Sequence, residues 1–286
     1  MSVTLYLCAT PIGNLDDITY RVTETLRTVD LIAAEDTRHS RGLLTHLGID
    51  KPLTSYHEHN KYEKAEELIG RLAAGENIAL VTDAGTPAIS DPGEVLVQEC
   101  RKAGIPVTSL PGPCALITAL TLSGVPARRF VFEGFLPMET RERKEVLAEL
   151  KTEKRTIILY EAPHRLKKTL GELKEALGGA RHITLCRELT KIHEEALEMT
   201  LDEAEAAYAE NEPRGEYVLV LAGRSAEEEA EEKAAAFRDL TPEEHLKLYL
   251  DRGLDRKEAM KLMAKDMGLS KREVYAMLLK ENGKED

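Results

Sequence analysis

Tryptophan is absent from this chain of 286 residues, cysteine occurs only four times, and no apolar run approaches the ~20 residues that a helix needs to span a bilayer. None of the cysteines stands in a CxxC pair, which argues against disulfides and a zinc site and favours reduced, buried thiols. The eight histidines lack the HExxH spacing, and HEH at 57–59 is interpreted as a polar loop, so no metal is expected. The first residues, MSVTLYLCATPIGN, show no basic segment followed by an apolar signal core, and we expect a cytoplasmic protein that does not bind membranes.

Positive charge is also scarce, because 39 Lys and Arg stand against 51 Asp and Glu and give a formal net charge of −12. Such an excess argues against a protein that coats nucleic acid non-specifically. The charge is unevenly distributed, so a local basic face is compatible with it. One acidic run, EEEAEE at 227–232, is typical of a solvated linker or helix face.

Strand-like apolar runs alternate with helical patterns along most of the chain. The runs mix β-branched residues and Leu without strict alternation, which is typical of strands buried on both faces of a parallel sheet in βαβ units. The predicted strands cover 3–10, 29–36, 77–83, 105–112, 129–137, 155–163, 182–189 and 215–223. The predicted helices include 62–75, a helix opened by Ser90 or Asp91 with Pro92 in its first turn, 114–124, 139–152 and 164–177.

These elements divide the chain into several parts. We predict an N-terminal α/β domain at 1–115, a second α/β domain at 116–225, an acidic linker at 226–240 and a helical module at 241–286.

The helical module has the helix-start and turn signals of a helix-turn-helix. Thr241 and Pro242 form a typical helix start, and GLS at 268–270 predicts a sharp turn before a helix that opens with Lys271 and Arg272. A helical tail packed on the body of the protein explains the same pattern equally well.

Polar segments rich in Gly and Pro follow the first strands of the predicted sheet: TPIGNLDD, AEDTRHSR, DAGTPAISDPG and PGPCA. Ligands of open α/β sheets bind beyond the carboxyl ends of the strands, so these segments predict one common cleft. None of them is a GxGxxG or GxxxxGK[ST] phosphate loop. Gly85, Pro87 and Gly112 would let the backbone approach a ligand closely. Asp83 is interpreted as a ligand contact or as a turn residue, and Asp91 as a simple helix cap.

Several of these segments together resemble the tetrapyrrole methylase superfamily of S-adenosylmethionine-dependent enzymes. The matching segments are ATPIGNLDDITYR, AAEDTRHSRGLLTHLGI, DAGTPAISDPG, PGPCALITAL, EGFLP and YEAPHRL, and the resemblance extends over essentially the whole chain. EDTR, HEHN and APHR are similar to the RNA-modifying members of the superfamily.

The resemblance implies a two-domain α/β fold with a parallel-sheet N-terminal domain, a mixed-sheet second domain and a small C-terminal helical module. It implies a homodimer that transfers a methyl group from S-adenosylmethionine to the ribose 2'-hydroxyl of a cytidine in the decoding region of 16S ribosomal RNA, in free RNA or in the small ribosomal subunit. The cofactor would lie between the two domains. Its expected contacts are Pro11, Gly13, Asp83, Ala84, Gly85, Pro87, Gly112, Ala115, Tyr160, Leu189, Gly215 and Tyr217.

Methyl transfer from a sulfonium is an in-line displacement, so the protein mainly positions the acceptor oxygen, an effect worth roughly 7–11 kcal/mol. A base near the weakly nucleophilic hydroxyl would add about 10²–10⁴-fold. Glu35 or Asp36 could accept the proton, and His164 could act as a base or stack on a nucleobase. Alternatively, the two carboxylates belong to a structural network and His164 caps a helix.

An acidic protein that binds RNA needs local cationic anchors. The candidates for phosphate contacts are Arg38, Arg41, Arg165, Lys271 and Arg272.

Two other functions compete with RNA methylation. A tetrapyrrole carbon methylase would share the cofactor loops but has no need of the helical module. A non-catalytic nucleic-acid-binding protein would use that module alone, yet residues 239–286 carry 10 Lys and Arg against 11 Asp and Glu and show no basic excess.

Overall fold

The computed structural model describes residues 3–229 and 240–282. One compact unit ends at Ala222 and a second begins at Gly223. The predicted acidic linker at 226–240 lies for the most part outside the described residues. In the part of the chain that the structure describes, no helix is both long and apolar enough to cross a bilayer.

The first unit opens with a sheet of five parallel strands in the order β3-β2-β4-β1-β5. Its strands are β1 (Leu5–Cys8), β2 (Leu31–Ala34), β3 (Leu53–Ser55), β4 (Ile78–Val81) and β5 (Val107–Leu110). The helices between them are α1 (Tyr20–Thr28), α2 (Thr37–His46), α3 (Lys61–Ala73) and α4 (Gly93–Lys102). Every residue of β2 and β4 is buried, which explains their unbroken apolar sequence.

Helices cover both faces of this sheet. Leu68 and Leu96, from α3 and α4, pack on one face, while Val22 and Leu44, from α1 and α2, pack on the other. All five strands run in the same direction, so the loops that follow them emerge at one edge of the sheet.

The second sheet of the first unit has the order β6-β7-β10-β8-β9. Only β6 and β7 run parallel, and the other neighbours are antiparallel. Its strands are β6 (Phe130–Phe135), β7 (Thr156–Glu161), β8 (His182–Arg187), β9 (Glu195–Thr200) and β10 (Tyr217–Leu221). The helices α6 (Thr140–Thr152), α7 (Pro163–Leu177) and α8 (Leu201–Ala209) pack on one face, and α5 (Ala115–Leu122) packs on the other. The predicted combination of a parallel and a mixed sheet is confirmed, whereas the domain boundary at 115/116 stays a prediction.

Two strands, β3 and β9, are not among those predicted from the sequence. The strand β3 has only three residues, and each of them is half-buried. The strand β9 forms an exposed antiparallel edge and carries Glu195 and Glu198, so it lacks the apolar run of a buried strand. Two helix starts also differ by one residue from the expectation, since α4 begins at Gly93 and α7 at Pro163.

Within residues 240–282 of the second unit, three helices form a core of their own. They are α9 (Pro242–Leu250), α10 (Arg256–Asp266) and α11 (Lys271–Asn282). Thr241 caps α9 in a reciprocal capping box with Glu244, as the helix start in the sequence predicted. Leu246, Met263 and Val274 are buried where the three helices meet.

Candidate active site

A cavity of about 500 Å³ lies between the two sheets of the first unit, at the edge where the parallel strands end. Its size is typical of small-molecule sites. The lining residues are Ile12, Glu35, Thr82, Asp83, Ala84, Gly85, Thr86, Ile89, Ser90, Asp91, Cys114, Ala115, Phe135, Tyr160, Glu161, Ala162, Pro163, Leu189, Glu216, Tyr217 and Val218.

Hydrogen bonds join the loops that follow β1, β2 and β4. The Thr82 hydroxyl donates to Glu35 Oε2 over 2.7 Å. The Asp36 amide donates to Asp83 Oδ1 over 3.0 Å. Thr10 and Gly85 exchange two backbone hydrogen bonds of 2.9 and 3.0 Å. Asp83 therefore fixes a turn and faces the cavity at the same time, and burial raises its pKa.

The loop before α4 is held in an unusual conformation by Asp91. Its carboxylate accepts the amides of Ile89 at 3.1 Å and Gly93 at 2.8 Å. Ala88 and Ser90 both have positive φ, at 68° and 63°, a costly conformation that is frequent in functional loops. Asp91 is not the helix cap that the sequence predicted, because Pro92 is the N-cap of α4 and makes no side-chain cap hydrogen bond. Asp91 stands one residue earlier and also lines the cavity, and burial raises its pKa.

Tyr160 contributes the middle of the opposite wall. Its hydroxyl accepts the Leu116 amide at 3.2 Å and so satisfies the first turn of α5. Its ring lies edge-on to Phe132 and Phe135, with centroids 4.9 and 5.7 Å away. Burial raises the pKa of the Tyr160 phenol to about 12, so the group stays protonated and keeps a hydrogen to donate.

Glu161, next to Tyr160, is buried and held from several sides. The Thr169 hydroxyl and the Ala162 amide donate to its carboxylate, and the Arg165 guanidinium lies 3.5 Å away. Arg143, on α6, donates a hydrogen bond of 2.8 Å to the same Thr169 hydroxyl. Each charge in this network has a partner, which buried ionised groups require.

The loops after β1 and β8 close the cavity on one side. The Asn14 amide donates to Thr190 Oγ1 over 3.0 Å. A Cβ on Gly13 would lie only 2.5 Å from Lys191 Cγ, 2.8 Å from Thr190 Oγ1 and 2.9 Å from the Leu189 carbonyl. Only glycine permits this close approach.

The structure brings together part of the predicted cofactor set. Asp83, Ala84, Gly85, Ala115, Tyr160, Leu189 and Tyr217 line the cavity. Pro11, Gly13, Pro87, Gly112 and Gly215 lie in the adjoining loops and are not among the lining residues. Tyr217 directs its ring to Tyr208 in the core on the far face of the second sheet, so its hydroxyl does not face the cavity. The roles of all these residues as cofactor contacts stay predictions.

The predicted proton acceptors separate in space. Glu35 lines the cavity, whereas Asp36 caps α2 and forms a 2.9 Å ion pair with Arg38, which lowers its pKa to about 2. His164 is exposed in the first turn of α7 and does not line the cavity.

The predicted phosphate anchors differ in exposure. The Arg38 side chain is 90% exposed, and Arg41 is exposed on the same helix. Arg165 is only 18% exposed and donates to the Leu136 carbonyl over 2.7 Å. Lys271 and Arg272 are exposed at the start of α11 in the second unit.

Sequence reasoning missed part of the lining. Ile12, Cys114 and Val218 are apolar neighbours of predicted residues, and their place in the wall follows from the loops that carry them. Phe135 and Glu161 stand within EGFLP and YEAPHRL, two segments that carried the resemblance. Their position at the ends of β6 and β7 was the available signal.

A parallel sheet, a mixed sheet and a cavity walled by polar loops define a two-sheet methyltransferase fold distinct from the common dinucleotide-binding type. The family model "Tetrapyrrole (Corrin/Porphyrin) Methylases" matches residues 4–205, and the chain belongs to this family. The expectation of an S-adenosylmethionine-dependent methyltransferase is thereby confirmed.

Named relatives match nearly the full length of the chain. It is 50% identical over 275 residues to "Ribosomal RNA small subunit methyltransferase I" of Synechocystis sp., with 96% of this chain and 97% of the relative covered. The protein of the same name in Escherichia coli O157:H7 is 47% identical over 281 residues, with 98% and 96% covered. Among solved structures, diphthine synthase superposes with a TM-score of 0.62 at 14% identity, covering 77% of this chain and 90% of that one, and shows the shared fold.

Proposed function

We propose that the protein transfers the methyl group of S-adenosylmethionine to the ribose 2'-hydroxyl of a cytidine in the decoding region of 16S ribosomal RNA. The observation that carries this proposal is the near-full-length similarity to proteins named for methylation of the small-subunit RNA. The site of action would be the cytoplasm, where ribosomal subunits are made.

The cavity suits the cofactor by its chemistry. S-adenosylmethionine supplies an activated methyl group on a positively charged sulfur. Several carboxylates surround the space, and Lys and Arg are absent from the lining as far as the structure describes the chain. Backbone groups of Ala84, Gly85 and Val218, together with the apolar side chains of Ile12 and Leu189, are suited to hold the adenosine and the methionine chain.

The same charge pattern disfavours a tetrapyrrole substrate. A macrocycle with many carboxylates would face Glu35, Asp83 and Asp91 at close range without a compensating cation in the lining. An RNA strand avoids this conflict if its sugar enters the cavity and its phosphates stay outside, near the exposed Arg38 and Arg41.

Glu35 is the best placed proton acceptor for the ribose hydroxyl. One of its carboxylate oxygens is held by Thr82, which fixes the side chain at the cavity wall. The second oxygen remains to accept the proton as the acceptor oxygen attacks. Asp36 is less suited, because its carboxylate is engaged by Arg38 and by the first turn of α2.

A homodimer is supported by the surface of α5. This helix is apolar apart from Thr118 and Thr121, and while Leu116 and Leu120 are buried, Ile117 and Leu122 remain 47% exposed. A second copy of the chain packed on α5 would remove these side chains from water, and each Å² of apolar surface buried in this way contributes about 25 cal/mol. The second unit would hold the RNA or subunit through Lys271 and Arg272.

The test is methylation of defined substrates. The purified protein is mixed with S-adenosylmethionine carrying a labelled methyl group and with 16S RNA or small subunits that lack the modification, or with a tetrapyrrole precursor. We expect label in the RNA, at a cytidine whose 3' linkage resists alkaline cleavage because the 2'-oxygen is blocked. Label in a base or in the tetrapyrrole alone would overturn the proposal.

A further inference from the structure

The strand β6 contains a bulge that changes which way its last residue points. Phe132 pairs with Ile158, but the next paired residue is Gly134, opposite Leu159, and Phe135 then pairs with Tyr160. In a regular strand, side chains three residues apart lie on opposite faces. The bulge puts Phe132 and Phe135 on the same face, and both rings pack edge-on against Tyr160.

Glycine is favoured at this bulge for two reasons. Gly134 has φ of 64°, and a Cβ there would lie 3.0 Å from Ser90 Oγ. The contact also shows that the loop with Ser90 faces the end of β6. The bulge is thus fixed between the two sheets, and its effect is to turn Phe135 into the cavity.

Phe135 is unusual because it lines the cavity and is nevertheless 48% exposed. Ile89, which also lines the cavity, is 39% exposed. Apolar surface of this kind at the mouth of a site is typical of a position that a ligand covers.

The lining of the cavity extends across most of the second sheet. Phe135 on β6 and Leu189 after β8 are separated by the strands β7 and β10, and three strand spacings amount to about 14 Å. The loops after β1 and β8 meet at the Leu189 end, through Asn14 and Thr190.

Glu35 belongs to the Phe135 end. The charge of Glu35 acts on Asp91, and Asp91 is two residues from Ile89 in the sequence. Glu35 also follows β2, which lies on the side of the first sheet away from β1 and β5. The proton acceptor and the exposed ring therefore share one end of the cavity.

We propose that Phe135 is the platform on which the nucleobase of the acceptor nucleotide stacks. This inference rests on the proposed RNA methylation. Its geometry places a base on the Phe135 ring and the attached ribose toward Glu35, while the cofactor occupies the Leu189 end. Proteins that recognise unpaired RNA stack the splayed bases on aromatic side chains, and enzymes that act on a base take it out of its stack in the same way. Tyr160 supports the platform from its edge, because its own hydroxyl is fixed by α5.

The experiment compares Phe135→Ala and Phe135→Tyr in the full chain. Loss of base stacking should weaken binding of an RNA fragment about 5- to 150-fold in Phe135→Ala, and the tyrosine should restore it. A fluorescent cytidine analogue at the acceptor position should be quenched on binding to the wild type and to Phe135→Tyr, but not to Phe135→Ala. Affinity for S-adenosylmethionine, measured by calorimetry, should stay the same in both variants.

Phe130→Ala is the matched control. Phe130 lies on the same strand, is 36% exposed and does not line the cavity. Its removal should leave RNA affinity and quenching unchanged. Weakened cofactor binding in Phe135→Ala would place the ring at the cofactor, and an altered oligomeric state would place it in a subunit interface; either result overturns the inference. If the wild type does not methylate RNA, the proposed function itself is wrong. If the wild type is active and Phe135→Ala binds RNA as tightly as the wild type, only the proposal that Phe135 stacks on the nucleobase is wrong.

Discussion

The hydroxyl of Thr82 donates a 2.7 Å hydrogen bond to the carboxylate of Glu35. Thr82 directly follows β4 and Glu35 directly follows β2, and these strands are neighbours in the first sheet. The contact orients a carboxylate at the cavity wall without neutralising it, since Thr82 is an uncharged donor.

Replacement of Glu35 by Gln should slow methyl transfer about 10²–10⁴-fold, because the amide cannot accept the ribose proton. The Thr82 hydroxyl can still donate to the amide oxygen, so cofactor affinity should change little. Single-turnover rates and calorimetry measure the two effects. Asp36→Asn is the control, as Asp36 does not line the cavity; an equal loss of rate in both variants would remove Glu35 from its assigned role.

A methyl group at Gly13 should reduce cofactor affinity. Gly13→Ala would push against Thr190 and the Leu189 carbonyl and would shift the wall that Leu189 forms. Gly42→Ala on α2 is a matched control, since nothing lies within 4 Å of its added Cβ. Titration calorimetry should separate the two variants. Equal affinities would mean that the contact between the two loops does not shape the cofactor site.

Thiol labelling should report cofactor binding at a single cysteine. Cys8, Cys100 and Cys186 are buried, and burial raises their pKa values to about 12, 11 and 11. Cys114 is half-buried and lines the cavity. We expect a maleimide to modify Cys114 first and S-adenosylmethionine to slow that reaction, both followed by mass spectrometry. Labelling of Cys114 at the same rate with saturating cofactor would contradict its place in the occupied site.

Arg38 and Arg165, two of the predicted phosphate anchors, should behave differently. Arg38→Ala should weaken RNA binding and reduce the salt dependence by about one counterion, without changing cofactor affinity. Arg141→Ala is its control, because Arg141 is likewise exposed and paired with an acid, Glu145, on α6.

Arg165→Ala should instead lower the free energy of unfolding by about 1–3 kcal/mol, since the Leu136 carbonyl and buried Glu161 lose a partner. Chemical denaturation distinguishes the cases, and a fully stable Arg165→Ala protein would argue for an RNA role alone.

The pH dependence of stability should reveal Asp83. Burial raises its pKa above the ordinary 3.8, so ionisation in the folded state costs stability as the pH rises through the raised value. Asp83→Asn keeps an oxygen for the Asp36 amide and removes the charge. The variant should therefore gain stability relative to the wild type as the pH increases from 3.8 to the raised pKa, which is the window in which the folded and unfolded states differ in protonation. Denaturation at several pH values measures this difference, and a constant difference would rule out the burial effect.

The sequence predicted the first sheet well because burial on both faces leaves an unbroken apolar run, as in β2 and β4. It missed β9, whose stability comes from pairing with β8 rather than from apolar side chains. Pairing between strands forms only in the folded chain, and the sequence of β9 has no periodic pattern that would predict it.

The candidate site was predicted in part. The loops with Asp83 and Gly85 could be placed from strand ends alone, but Asp36 and Glu35 are adjacent in sequence and only the fold separates their environments. Phe135 was missed because a bulge reverses the alternation of β6. Besides its position at the end of β6, the glycine before it was a signal, since an isolated glycine within a strand often marks a bulge.

The two walls of the cavity come from stretches of chain that do not interleave, with the first sheet within 5–110 and the second within 130–221. Each sheet is completed by its own residues, and the cavity exists only once both have docked. During synthesis the first sheet can form before the second has been made. A ligand that fills the cavity binds the docked form alone and, at 100 times its Kd, favours that form by about 2.7 kcal/mol. Cofactor binding should therefore raise the free energy of unfolding of the two-sheet unit, quite apart from the use of the cofactor as a methyl donor.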